Sequence, residues 1–101
     1  MISNDQIEAL AIFSEEAAEV QKCISKILRF GFESVYPAGA PSNMQKLVNE
    51  MGDMEAASEL TRIVLGITPA AVETAVNKKL KDYASGKYLT MSPPGWLQWH
   101  S

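Results

Sequence analysis

Residues 14–20 read S-E-E-A-A-E-V, and this stretch places glutamates where a helix would otherwise be apolar. Successive side chains on an α-helix are separated by about 100° around the axis. On that projection, one side of the first predicted helix collects the residues Ala9, Ile12, Phe13, Val20, Cys23, Ile24, Ile27 and Phe30. Glu16 falls in the middle of this apolar side and Glu19 falls on its flank one turn later, whereas Glu15 points closer to solvent. The informative pair is therefore Glu16-x-x-Glu19.

The second predicted helix repeats this arrangement. Its apolar side carries Leu47, Met54, Ala57, Leu60 and Val64, opposite a polar side that includes Gln45, Asn49 and Glu59. Glu50 lies near the centre of the apolar side, and Asp53 lies one turn further along, beside Ala57. A second acidic pair, Glu50-x-x-Asp53, is therefore predicted to face the protein interior.

Local end signals predict three helices, at about 4–30, 43–65 and 69–84. Each start carries a capping pattern: Ser3 with Gln6, Ser42 with Gln45, and Thr68 followed by Pro69. A loop rich in glycine and proline covers residues 31–42, and an extended tail with Trp96 and Trp99, favoured as an oligomer contact, covers about 87–101. Because strand-like alternation is absent from the sequence, the prediction is an all-α helical bundle in a single domain, 1–101.

Four carboxylates converging from two helices require positive charge, because burial disfavours the charged form and the carboxylates repel one another. Oxygen-only ligands favour a hard cation, Mg²⁺ or Mn²⁺. The single histidine, His100, lies in the tail, which argues against a di-iron carboxylate bundle with its Glu-x-x-His pairs. The alternative is a structural ion network in which Glu50-x-x-Asp53 pairs with Arg29 or Lys79.

Composition limits the remaining classes of function. The chain has 101 residues, a formal net charge of −3 and one cysteine, Cys23, which is predicted to lie in the core. The negative charge argues against a nucleic-acid-binding surface, which needs a basic patch. Apolar runs are shorter than the roughly 20 residues of a membrane span, and the N-terminus does not resemble a signal peptide. A cytoplasmic protein is therefore expected, without a nucleic-acid or membrane partner.

The two acidic pairs and their surroundings resemble those of the MazG-type all-α nucleoside triphosphate pyrophosphohydrolases, in particular the small single-domain members of phage or prophage type. The matching text is S-E-E-A-A-E-V-Q-K-C-I-S-K-I-L-R-F-G at 14–31 and N-x-x-K-L-V-N-E-M-G-D-M at 43–54. The resemblance extends over about residues 7–83. The gap between the two pairs is long for this family, and the loop at 33–42 fills it.

The resemblance implies a helical core completed by homodimerisation, sometimes as a dimer of dimers, which makes a homotetramer. It implies that Glu16, Glu19, Glu50 and Asp53 hold Mg²⁺, which binds the triphosphate of a nucleotide. Water then attacks the α-phosphorus, giving a nucleoside monophosphate and pyrophosphate. One of the four carboxylates, not assigned individually, is expected to activate that water.

Three further residues are candidates for substrate binding. The resemblance implies a lysine and then an asparagine or aspartate on the helix after the second acidic pair, and Lys79 and Asp82 are the nearest matches. Lys79 lies on the apolar side of its helix and either reaches the surface or meets an anion. Lys26 lies on the same edge of the first helix as Glu19, where it contacts phosphate or pairs with an acid.

Two alternatives to a general nucleotide pyrophosphohydrolase remain open. The first keeps the fold and the metal but restricts the substrate to dUTP or a modified nucleotide. The second is a non-catalytic helical interaction module whose acids pair with basic residues.

Overall fold

A computed structural model describes residues 1–88, and every regular element among them is a helix. The helices are α1 (Asn4–Phe30), α2 (Asn43–Leu65) and α3 (Pro69–Ala84). Extended pairing within residues 1–88 is limited to one isolated antiparallel bridge between Val35 and Ser42. The all-α prediction is therefore confirmed. The predicted tail contact through Trp96 and Trp99 lies outside the described residues.

The helices begin and end at the residues that carry the end signals. Ser3 forms a full capping box with Gln6, because each side chain bonds the backbone N–H of the other residue. Ser42 caps α2 by accepting from the Gln45 N–H. A capping box would also need the Gln45 side chain to accept from the Ser42 N–H. The Gln45 side-chain amide instead donates to Asn49 Oδ1 at 3.0 Å. The capping box predicted at this helix is thus half formed.

Contacts group the chain into two units, Met1–Gly66 and the residues from Ile67 onward. The first unit is a hairpin of α1 and α2. The two helices run antiparallel, because Thr61 Oγ1 near the end of α2 lies 3.4 Å from the Ala9 carbonyl near the start of α1. At the other end of the hairpin, Cys23 Sγ lies 3.8 Å from the Asn43 carbonyl.

The contact between α1 and α2 is made by small side chains. Ala9 and Ala57 are buried, and Cys23 is buried as predicted. Alanines at a helix contact let the two backbones come close together. Larger apolar residues remain in water: Ile24, Phe30 and Leu60, all predicted to lie on apolar sides, are 43%, 61% and 40% exposed. They are exposed in the single chain because a hairpin of two helices covers only a narrow strip of each.

The second unit contains α3, which Thr68 caps by accepting from the Ala71 N–H. Two aromatic rings near its end, Tyr83 and Tyr88, meet edge to face with their centroids 6.3 Å apart. None of the helices within residues 1–88 combines the length and the apolar character that crossing a membrane requires.

Candidate metal centre

Three carboxylates meet at the middle of the hairpin. Glu16 from α1 and the Glu50-x-x-Asp53 pair from α2 each place one oxygen so that all three lie within 4.8 Å of one another. Residues three apart on a helix share a face, so α2 presents two carboxylates together. Because the helices are antiparallel, the midpoint of α1 lies beside the first half of α2. We call Glu16, Glu50 and Asp53 the acidic cluster.

The surroundings of the acidic cluster favour protonation of one member. Glu16 and Glu50 are half-buried, and Asp53 is exposed. Burial raises the pKa of the Glu16 carboxyl above its ordinary value, and the charges of Asp53, Glu50, Glu19 and Glu15 raise it further. Burial and mutual repulsion therefore disfavour the negative charge that the acidic cluster concentrates.

Within the hairpin, residues 1–66, protein cations do not form ion pairs with the acidic cluster. The ion pairs within residues 1–88 are Lys22–Glu19, Arg62–Glu59 and Lys78–Asp82, none of which includes a cluster member. Arg29, one predicted partner, instead lies 5.1 Å from the centroid of the Phe30 ring. The structural ion network with Arg29 is therefore not formed.

Glu19, the fourth predicted ligand, lies outside the acidic cluster. Its side chain is exposed and lies 3.6 Å from the Lys22 ammonium. Its charge still raises the pKa of Glu16, so the two carboxylates interact electrostatically. A role for Glu19 as a metal ligand stays a prediction.

A recess of about 290 Å³ adjoins the acidic cluster. Its walls are the carboxylates Glu16 and Asp53 and the apolar or small residues Ile12, Ala56, Ala57 and Leu60. An acidic edge beside an apolar wall suits a ligand that binds a cation at one end and offers an uncharged group at the other.

Of the predicted substrate-binding residues, Lys26 belongs to the hairpin, and Lys79 and Asp82 belong to the second unit. On α1, Lys26 follows Glu16 by ten residues, about 15 Å along the axis at 1.5 Å per residue. In the second unit, the Lys79 ammonium lies 4.4 Å from the centroid of the Tyr88 ring. Asp82 pairs with Lys78 at 3.6 Å. Substrate binding by Lys26, Lys79 and Asp82 stays a prediction.

Comparison of the chain with protein-family models, curated proteins and solved structures finds no match.

The donor set of the acidic cluster fits a hard divalent cation. Its donors are carboxylate oxygens, which Mg²⁺ and Mn²⁺ prefer, and nitrogen and sulfur ligands are absent from the group. A divalent ion held there would offset both causes of the raised pKa of Glu16, namely burial and the neighbouring negative charges.

In metal-free buffer, we expect Glu16 to make the folded protein less stable as pH rises above 4.5, the ordinary pKa of this carboxyl. Since its pKa is raised on folding, the folded state binds more protons than the unfolded chain between the two values. This contribution is fully present below the ordinary pKa and is lost as pH rises through the folded-state value. Thermal unfolding of the wild type and Glu16→Gln in EDTA, over about pH 4–8, measures it.

Glu16→Gln should gain stability relative to the wild type as pH increases. Glu55→Gln serves as the control, because Glu55 is an exposed carboxylate on α2 outside the acidic cluster. Parallel pH profiles for the wild type and Glu16→Gln would contradict the expected cost of ionising Glu16.

Proposed function

We propose that the chain is a Mg²⁺-dependent nucleoside triphosphate pyrophosphohydrolase that converts an NTP or dNTP to the monophosphate and pyrophosphate. The observation that carries this proposal is the acidic cluster, in which three oxygens from two helices lie within 4.8 Å of one another and take part in none of the ion pairs of the hairpin. The reaction itself comes from the resemblance of the two acidic pairs to the MazG-type enzymes.

In this proposal, Glu16, Glu50 and Asp53 hold the cation, and Glu19 is the proposed fourth ligand. Mn²⁺ is an alternative ion, since it accepts the same donors. When bound, the ion neutralises charge on the triphosphate and lowers the pKa of nearby water. The cluster residues fix its position on two helices rather than on a mobile loop.

The reaction requires the water oxygen to bond to the α-phosphorus while the bond from that phosphorus to the α,β-bridging oxygen breaks. Pyrophosphate leaves with the bridging oxygen. A carboxylate oxygen that is not fully engaged in cation binding accepts the proton of the attacking water. The particular carboxylate is not assigned. Lys26, Lys79 and Asp82 are the proposed substrate contacts.

A homodimer or homotetramer is part of the proposal. The support is the set of large apolar side chains that remain exposed on α1 and α2, which include Ile7, Leu28, Val48, Met51 and Ile63. Apolar surface of this kind is commonly buried between subunits. The proposed location is the cytoplasm.

Two narrower or different functions are retained as alternatives. A pyrophosphohydrolase restricted to dUTP or to a modified nucleotide would use the same acidic cluster and differ only in recognition of the base. A non-catalytic helical interaction module would use the exposed apolar side chains and leave the cluster without a catalytic task.

The test is pyrophosphate release from a panel of canonical and modified NTPs and dNTPs, with Mg²⁺ and with EDTA. The expected result is metal-dependent release with the nucleoside monophosphate as co-product, and the best substrate separates the general from the restricted enzyme. Absence of release by folded protein on every nucleotide would favour the interaction module.

A further inference from the structure

A second recess lies at the turn of the hairpin, away from the acidic cluster. It has a volume of about 400 Å³, and its walls include Lys26 and Phe30 from α1, Tyr36 from the loop, and Asn43 and Lys46 from α2. We call it the turn recess. Its volume falls within the range of small-molecule sites.

The turn recess is electropositive in a protein of net charge −3. Carboxylates are absent from its walls as described, whereas two ammonium groups lie on them. Between Glu19 and Glu50, the sequence has four basic residues, Lys22, Lys26, Arg29 and Lys46, against the single acid Glu33. Of the ion pairs within residues 1–88, none uses Lys26 or Lys46, so both ammonium groups are available to an anion.

Hydrogen bonds fix the walls of the turn recess. Lys46 Nζ donates to the Tyr36 carbonyl at 3.0 Å, which positions the ammonium and leaves two of its three N–H groups for a ligand. The Asn43 side chain donates to the Gly31 carbonyl at 3.0 Å, and the Asn43 N–H donates to the Ser34 carbonyl at 2.9 Å. A site whose walls are already ordered loses less entropy when a ligand binds.

Two aromatic side chains at the turn recess are solvent-exposed. Phe30 is 61% exposed and Tyr36 is 83% exposed. The Arg29 guanidinium lies 5.1 Å from the centroid of the Phe30 ring, which adds a third positive charge nearby. Exposed aromatic faces beside cations are the combination that binds a planar ring attached to an anionic group, through stacking and charge together.

We propose that the turn recess binds an anion that carries a planar aromatic ring, with Lys26 and Lys46 on the anionic group and Tyr36 and Phe30 against the ring. Binding there requires no metal, because ammonium groups supply the positive charge. The site is also about 15 Å from Glu16 along α1, so it is separate from the acidic cluster. Lys26 is also one of the substrate contacts proposed above, and the EDTA in the test separates metal-free binding at the turn recess from metal-dependent binding of substrate at the acidic cluster.

The test is titration of the full chain with AMP in EDTA. Calorimetry measures the affinity, and chemical-shift changes locate the binding site. AMP supplies both a phosphate and a purine, while inorganic phosphate and adenosine supply one each. We expect AMP to bind more tightly than either, with shift changes at the turn recess. Binding that needs Mg²⁺ and is lost in Asp53→Asn would overturn the inference, as would absence of AMP binding at millimolar concentration.

Variants of the wall residues separate the two contributions. Lys26→Gln should weaken AMP binding about tenfold, the usual effect of losing one charge-assisted hydrogen bond. Tyr36→Ala should weaken AMP binding at least about fivefold and leave the affinity for inorganic phosphate unchanged. Lys22→Gln is the matched control, because Lys22 is an exposed lysine of α1 outside the walls.

Both test residues are exposed, so the variants are expected to fold, and circular dichroism checks this. Equal affinities for AMP in the wild type and in folded Lys26→Gln would overturn the assignment of Lys26. Equal affinities of the wild type for AMP and inorganic phosphate would overturn the aromatic part of the inference.

Discussion

Asp53→Asn is expected to lower Mg²⁺-dependent pyrophosphate release by at least about 100-fold, because it removes one charged ligand of the proposed cation site. Asparagine has nearly the same volume as aspartate, so packing is preserved. In metal-free buffer, the variant should be as stable as the wild type or more stable. The reason is that, among the neighbouring carboxylates, Asp53 contributes most to the raised pKa of Glu16. Steady-state kinetics and denaturant unfolding measure the two effects.

Glu55→Gln is the control for this variant, since it neutralises an exposed carboxylate on the same helix and should leave turnover unchanged. Asp53→Ala distinguishes the metal-centre hypothesis from a structural ion network. In such a network, Asp53→Ala would destabilise the fold, because it leaves the partner of Asp53 unpaired. A clear loss of stability in Asp53→Ala, or full activity in Asp53→Asn, would contradict the metal-centre hypothesis.

Mg²⁺ is expected to raise the midpoint of thermal unfolding by about 10 °C or more when its free concentration is about 100 times its dissociation constant. At that concentration, binding to the folded state alone contributes about 2.7 kcal/mol. For a chain of about 100 residues, each 1 kcal/mol moves the midpoint by roughly 4–8 °C. The folded state binds preferentially because only the packed hairpin brings Glu16 to Glu50 and Asp53.

Far-UV circular dichroism during heating, with increasing MgCl₂, measures this shift. NaCl at matched ionic strength is the control, because simple screening also weakens repulsion among carboxylates. Asp53→Asn should lose most of the Mg²⁺-specific increase. An equal increase with NaCl and MgCl₂ in the wild type would mean that the acidic cluster does not bind the ion specifically.

The sequence predicts the helices well because their end signals act locally. A serine hydroxyl at Ser3 or Ser42 reaches a backbone N–H three residues away, regardless of the rest of the fold. The acidic cluster was predictable for a related reason, since periodicity places Glu16, Glu50 and Asp53 on the sides of the helices that face each other.

Two features could not be predicted from periodicity. A helical projection identifies a facing side but not the width of the contact, so the exposure of Ile24 and Leu60 was missed. It also does not specify side-chain direction, and Glu19 turns toward Lys22 rather than into the cluster. Lys46 carries no local signal, because its importance arises only where the loop folds back to place the Tyr36 carbonyl beside it.

The hydrogen bonds at the turn of the hairpin help to determine the positions of the carboxylates in the acidic cluster. The bonds from Asn43 to Gly31 and Ser34 fix the axial register of α2 against α1. A slip of one residue would move α2 by about 1.5 Å and rotate its side chains by about 100°, which would carry Glu50 and Asp53 away from Glu16. The length of the loop at 31–42 is therefore a determinant of the geometry of the acidic cluster, although no loop residue belongs to it.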